Sequence, residues 1–239
     1  MKTLIYQINI GKGTNWLGDH VSDLLNKYFI PSVKNYAKKY NYDYRVFKED
    51  IFANYGKNFL LTKGTALSFN KWLYLKYLDY DQIAYIDTDV YISKNAEKLP
   101  IVKNFNCVAE PDQLENHNLY RNYYSLEKNF KYINAGVFIC DRNSGQHISE
   151  YMIDRIRRKK KGRPKNTCNG ILNEFLYLND KNYKFNLLNK KWNHLYLYSN
   201  KKDVIKANFT HIGGGDGKQF LIDLEKKNID IIKFFEENF

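Results

Sequence analysis

One segment constrains this chain more than any other: Ile83-Ala84-Tyr85-Ile86-Asp87-Thr88-Asp89-Val90. A short apolar run of this kind reads as an interior strand of a sheet covered on both faces. In an open α/β sheet, ligands bind just beyond the carboxyl ends of the strands. Here that end carries two carboxylates one residue apart. Acids so placed repel each other unless a cation neutralises them. Their oxygens suit Mg²⁺ or Mn²⁺, which keep positions open for phosphate oxygens. The segment therefore predicts a buried strand that carries Asp87, Thr88 and Asp89 to a divalent cation and a phosphate-bearing ligand. Lys71, on the helix predicted just before it, adds a positive charge.

Around this segment helix and strand alternate. Strands are predicted at 4–10, 42–47, 82–92, 107–109, 131–140 and 209–212, and helices at 20–40, 66–78, 149–158, 170–178 and 221–235. The helix over 20–40 carries Val21, Leu24, Leu25, Tyr28 and Phe29 at helical spacing, and Pro31 is expected to split or kink it. Gly11-Lys12-Gly13 ends the first strand. This βαβ alternation predicts a mostly parallel central sheet flanked by helices. With 239 residues and no compositional break, the simplest organisation is one Rossmann-like α/β domain over 1–239.

Charge narrows the partners. Lys and Arg number 38 against 26 acidic residues, a net +12 that favours polyanions. Much of it sits in the basic run over 155–165, which predicts a peripheral contact with an anionic membrane surface. No nucleic-acid fold signature accompanies the run, so no nucleic acid is expected as partner. The three cysteines, Cys107, Cys140 and Cys168, form no CxxC pair and read as reduced thiols of a cytoplasmic protein. No apolar run approaches the ~20 residues of a membrane span. The first residues, interrupted by Gln7 and Asn9, read as a strand rather than a leader.

Further segments carry chemistry. Phe209-Thr210-His211-Ile212-Gly213-Gly214-Gly215-Asp216-Gly217-Lys218 runs a strand into a glycine loop whose N–H groups can approach a ligand. His211 there completes a metal set with the two aspartates, and Lys218 is a point charge for a phosphate. Asn134, Ala135 and Gly136 interrupt a buried strand with one amide and two small residues, a place for a sugar hydroxyl. Trp192-Asn193-His194 is a candidate acceptor lining, and Asp112 a candidate sugar contact. Trp72 and Trp192 read as core.

Together these segments resemble the GT-A-fold glycosyltransferases, and among them glycosyltransferase family 8, the family of glycogenin and bacterial lipooligosaccharide galactosyltransferases. The resemblance runs from about residue 66 to 218. Asp87 and Asp89 are similar to the family's Asp-x-Asp, Asn134 to Val137 to its Asn-Ala/Ser-Gly-Val, and His211 with Gly214 to its metal-binding His-x-x-Gly. Lys71 is placed like the family's donor-contacting lysine. The resemblance implies a nucleoside-diphosphate sugar donor, UDP-linked, with Mn²⁺ or Mg²⁺ held by Asp87, Asp89 and His211. The donor would contact Ile8, Asn9, Lys71, Asp87, Thr88, Asp89, Asn134, Ala135, Gly214 and Lys218. It also implies transfer with retention to a glycan, lipid-linked or protein acceptor.

The chain departs from the family at two places. Lys218 follows His211 by seven residues where the family has six. The family's Asp-Gln-Asp-x-Leu-Asn is here Cys168-Asn169-Gly170-Ile171-Leu172-Asn173, without either acid. Asn169 and the following Glu174 are the catalytic candidates that remain. Other readings are a nucleotidyltransferase or phosphohydrolase using the same aspartates, a binder of sugar nucleotides without turnover, and a nucleic-acid-binding protein working through its basic surface.

Overall fold

The structure is a computed structural model and describes residues 1–10, 19–55, 67–158, 167–179, 183–198 and 206–239. The predicted Gly11-Lys12-Gly13 break and the 159–166 part of the basic run lie outside the described residues.

Apolar residues at successive positions bury both faces of β1 (Thr3–Ile8), which pairs in parallel with β2 (Asp43–Phe47) on one side and β3 (Gln82–Ile86) on the other. β6 (Ile133–Asp141) runs antiparallel between β3 and β5 (Phe105–Ala109), and β7 (Phe185–Leu187) lies parallel to β5. The order is β2-β1-β3-β6-β5-β7. Five strands thus point one way and β6 alone points against them, which is the mostly parallel sheet expected from the alternation. A register shift between Cys107 and Val108 bends β5 beside β6.

The expected strand over 82–92 is two strands. The chain leaves β3 at Ile86, turns through Asp87-Thr88-Asp89 with the Val90 N–H donating to the Asp87 carbonyl (3.2 Å), and enters a second sheet as β4 (Val90–Ile92). That sheet has the order β4-β9-β8, with β8 (His194–Leu195) and β9 (Phe209–His211). The Asp-x-Asp therefore lies at the seam between two sheets, not at a free strand end.

Helices cover both faces. The 20–40 segment forms α1 (Asp19–Leu24) and α2 (Ile30–Lys39), separated by a wide π turn over Leu25–Phe29. Pro31 sits in the first turn of α2, where its missing N–H costs no helical bond. α3 (Asn70–Tyr74) stacks Trp72 on Phe138 of β6 with ring centroids 4.7 Å apart. Trp72 and Phe138 are fully buried, each contributing roughly 1.5–3 kcal/mol by removal from water. α4 (Asn116–Tyr124) follows β5. α5 (Arg142–Arg157) begins seven residues ahead of expectation, because the Asp141 side chain accepts the Ser144 N–H and caps it. Thr167 caps α6 (Cys168–Glu174) in the same way.

The C-terminus corrects two expectations. The glycine stretch is no open loop: α7 (Gly214–Lys226) starts inside it. A Cβ on Gly217 would lie 1.6 Å from the Ile212 carbonyl oxygen, so only glycine lets the first turn fold back on the end of β9. The single helix expected over 221–235 is α7 and α8 (Ile231–Asn238), broken at Asn228 in the left-handed region (φ 54°). All three cysteines are buried and free. No helix among the described residues is long and apolar enough to cross a membrane. Arg155, the first residue of the basic run, is buried and turned inward, so it adds nothing to a membrane-facing patch.

Candidate active site

Two segments far apart in sequence meet at the seam. The turn from β3 to β4 carries Asp87 and Asp89, and β9 lies antiparallel to β4 with His211 opposite Val90. The Ile212 N–H donates to the Asp89 carbonyl at 3.1 Å, locking the two together. As a result one ligand atom from each of Asp87, Asp89 and His211 falls within 4.8 Å of the others. His211 Nε2 lies 3.2 Å from Asp89 Oδ1. Its Nδ1 faces Asn193 Oδ1 at 2.9 Å, which leaves Nε2 for the acidic side. Asn193 also donates to Asn134 Oδ1 (3.0 Å), and that oxygen accepts the Gly136 N–H (2.8 Å). The imidazole thus rests on a glycine and is held by an amide chain.

Behind the acids lies Lys71, only 4% exposed. Its Nζ is 3.2 Å from Asp87 Oδ1 and donates to the Ala135 carbonyl at 3.1 Å. The Tyr85 hydroxyl donates to the same Asp87 oxygen. Two carboxylates and one imidazole, with their outer partners in place, form a donor set that could hold a divalent cation.

The set opens into a cleft of about 410 Å³, lined by Asp87, Asp89, Glu110, Asn134, Asn169 and Gly214 among others. A smaller groove of about 60 Å³ holds Ile8, Asn9 and Thr88 against α1 and the π turn. Most of the residues expected at the donor are therefore gathered in these two adjoining places. Lys71 and Ala135 lie beneath the cleft, outside its lining, and Lys218 sits on α7, where its charge reaches Asp89.

No family model matches the sequence, and no curated protein does. Solved structures do. A glycosyltransferase involved in the glycosylation of the major capsid of PBCV-1 is similar over 93% of this chain and 100% of its own, with a TM-score of 0.61 at 14% identity. The galactosyltransferase LgtC in complex with donor and acceptor sugar analogs is similar over 100% of both chains (TM-score 0.50, 13% identity). An active-site mutant of LgtC covers 95% of this chain and 96% of its own (TM-score 0.52, 12% identity).

The chain has a glycosyltransferase fold.

Within that glycosyltransferase fold, charge is balanced around the metal set. Burial pushes the Asp89 carboxyl up, but the charge and hydrogen bond of His211, helped by Lys218, outweigh it and hold it well below the usual range. Burial likewise works against protonation of His211, and Asp89, with Asp87 behind it, overcomes that and raises its pKa. Lys71 follows the same pattern, with Asp87 outweighing burial. In the metal-free chain the His211 contribution to stability is full below the imidazole's ordinary 6.5 and is lost as pH rises through the raised folded value. A cation must displace the imidazole proton. Mn²⁺ affinity is therefore expected to weaken about tenfold per unit as pH falls below that value. Calorimetry in buffers of differing ionisation enthalpy should record the released proton, and a pH-independent affinity would contradict the ligand assignment.

The two catalytic candidates separate. Asn169, near the start of α6, lines the cleft. Glu174 does not: at the end of α6 it meets Arg155 of α5 through two hydrogen bonds of 2.8 and 3.1 Å, both side chains largely buried. Truncating one partner of such a pair leaves an uncompensated charge, so Glu174→Ala is expected to cost about 3–5 kcal/mol of stability. The folded variant should keep sugar-nucleotide turnover within a few-fold of wild type. A fully stable but inactive variant would return Glu174 to the catalytic set.

Sequence reasoning missed Glu110. It directly follows β5 as Asp87 directly follows β3, and it lines the cleft. The apolar Phe105–Ala109 run followed by an acid and a proline was the available signal, the same strand-end rule that found Asp87. Asp112, chosen instead, is exposed and paired with Lys131 at 2.6 Å.

Proposed function

We propose that this chain is a divalent-metal-dependent glycosyltransferase that moves a sugar from a UDP-sugar to a glycan, glycolipid or protein-borne acceptor, retaining anomeric configuration. The observation that carries the reading is the convergence of Asp87, Asp89 and His211 from two sheets onto the cleft of a glycosyltransferase fold. The neighbours named for capsid glycosylation and for donor and acceptor sugar analogs support sugar transfer between such partners.

Asp87, Asp89 and His211 would hold Mn²⁺ or Mg²⁺. When bound, that cation supplies positive charge against a departing diphosphate. The remaining work falls to the chain. Ile8, Asn9 and Thr88 line the small groove beside β1 and would contact the donor's nucleoside end. Asn134 and Asn169 present amides to the sugar from two sides of the cleft. Lys71 fixes Asp87, and Asn193 fixes the His211 ring. Such preorganised positioning and electrostatics account for most of the acceleration such a site can give. Membrane contact through the 155–165 basic run, apart from the buried Arg155, belongs to the proposal for a lipid-linked acceptor.

UDP release from UDP-sugars is the test. Turnover that requires Mn²⁺ or Mg²⁺, stops with EDTA and returns on adding metal is expected. Undiminished activity in EDTA would end the metal-dependent reading, and inorganic phosphate or pyrophosphate as product would favour the phosphohydrolase or nucleotidyltransferase alternative.

A further inference from the structure

The side chain of Asp87 is held from one side only. Its backbone is pinned at both ends: the N–H donates to the Gly136 carbonyl at 2.7 Å, and the carbonyl accepts Gln7 Nε2 at 3.2 Å. Gln7 is fully buried, and its Oε1 accepts the Tyr44 hydroxyl at 2.6 Å. The two donors to the carboxylate, Tyr85 and Lys71, both meet Oδ1. Among the described residues no hydrogen bond or ion pair reaches Oδ2. Tyr85 stands two residues before Asp87 at the end of β3, a spacing that puts side chains on one face. Its ring is 3% exposed and closely packed. Tyr6 and Phe138 lie 5.1 and 5.2 Å from it, centroid to centroid, and Lys71 Nζ stands 4.7 Å over its face. The Tyr6 hydroxyl in turn donates to the Lys71 carbonyl. Tyr6, Lys71 and Tyr85 thus form one packed unit behind Asp87. Two donors take up the lone pairs of Oδ1, and the ammonium among them repels a second cation there. Oδ2 is the oxygen left to face the cleft.

We infer that Tyr85 is a positioning residue that sets the choice of cation: with Lys71, its hydroxyl occupies Asp87 Oδ1, so the carboxylate offers one oxygen and the site favours a small octahedral ion over Ca²⁺. This rests on the metal-dependent reading above and adds the residue that governs which ion is taken. Ca²⁺ gathers roughly six to eight oxygens in flexible geometry, often from carboxylates that give both of theirs, whereas Mg²⁺ demands a near-ideal octahedron. A carboxylate locked to one oxygen suits the second kind of ion. Without the Tyr85 hydroxyl, Oδ1 keeps only Lys71, and the carboxylate gains room to turn and offer both oxygens. That loosens the grip on a small ion and spares a larger one.

Tyr85→Phe is the test, with Tyr36→Phe as control. Tyr85→Phe removes one oxygen and keeps the ring between Tyr6 and Phe138, so the fold survives. Tyr36 is another buried tyrosine whose hydroxyl donates to a carbonyl, that of Glu97 at 2.6 Å, but it belongs to a different core cluster, away from Asp87. Mn²⁺ and Ca²⁺ affinities are measured by calorimetry with UDP present, and denaturant unfolding is followed without metal. Tyr85→Phe is expected to weaken Mn²⁺ binding at least ~tenfold, the cost of losing an outer partner of a ligand. Its Ca²⁺ affinity should change by less than about threefold, so the preference for Mn²⁺ falls. Tyr36→Phe should lose stability and leave both affinities unchanged. A Mn²⁺-to-Ca²⁺ affinity ratio in Tyr85→Phe equal to that of wild type, or the same fall in Tyr36→Phe, would overturn the role of Tyr85 and leave the metal-dependent reading intact. A wild type that binds no Mn²⁺ in the presence of UDP contradicts that reading, and the positioning role with it.

Discussion

Asp89→Ala is expected to lower kcat/KM for a UDP-sugar by about 1000-fold or more, because it removes a carboxylate from a three-residue donor set and not merely a partner of one. The fold should survive. The backbone bond from Ile212 to the Asp89 carbonyl does not need the side chain, and His211 keeps Asn193. The variant's His211 pKa should fall, since Asp89 is the main influence raising it. The expected signature is a variant with wild-type circular dichroism, little or no Mn²⁺ binding by calorimetry and almost no turnover. Retained activity with lost metal binding would separate the aspartate from catalysis.

Gly136→Ala should do comparable damage by a steric route. A Cβ there would lie 2.3 Å from His211 Cε1, 2.7 Å from Nδ1 and 2.9 Å from Asn134 Oδ1. None of these can easily give way. The ring is pinned by Asn193 and Asp89, and the Gly136 backbone is pinned by Asn134 and by the Asp87 N–H at 2.7 Å. Overpacking of this kind costs about 1–3 kcal/mol. Displacing the ring should weaken Mn²⁺ binding by at least the ~10–100-fold that lost outer contacts cost. Adding His211→Ala to Gly136→Ala should recover much of the lost stability, since the clash has one partner in the ring. Strictly additive destabilisation in denaturant unfolding would place the strain elsewhere.

The strand-end logic read from Ile83 to Asp89 carried furthest, because a buried apolar run and its terminal acids are local signals. Asn134 and His211 were legible as candidates, and the resemblance strengthened them, since a polar residue in an apolar run is equally well a packing feature until its partners are known. The seam between two sheets was not legible: β4, β8 and β9 have three residues or fewer, too short for alternation to register. The glycines at 213–217 read as a loop because helix propensity disfavours them, yet Gly217 is required by the close approach of Ile212. Lys71 read as a donor contact because sequence gives no depth. Burial places it behind Asp87, where its charge acts through the carboxylate. Glu174 was nearest in sequence to the missing acids, but the turn of α6 directs it to Arg155, while Glu110 and Glu115, just after β5, line the cleft.

The central claim is that Asp87, Asp89 and His211 together hold a divalent cation against a nucleoside diphosphate. Crystals soaked with MnCl₂ and UDP, measured for anomalous scattering, test it most directly. The account predicts one strong manganese peak within coordinating distance of Asp87, Asp89 and His211 Nε2, touching the diphosphate. A well-bound UDP with no manganese at these residues, or manganese held elsewhere, would contradict it.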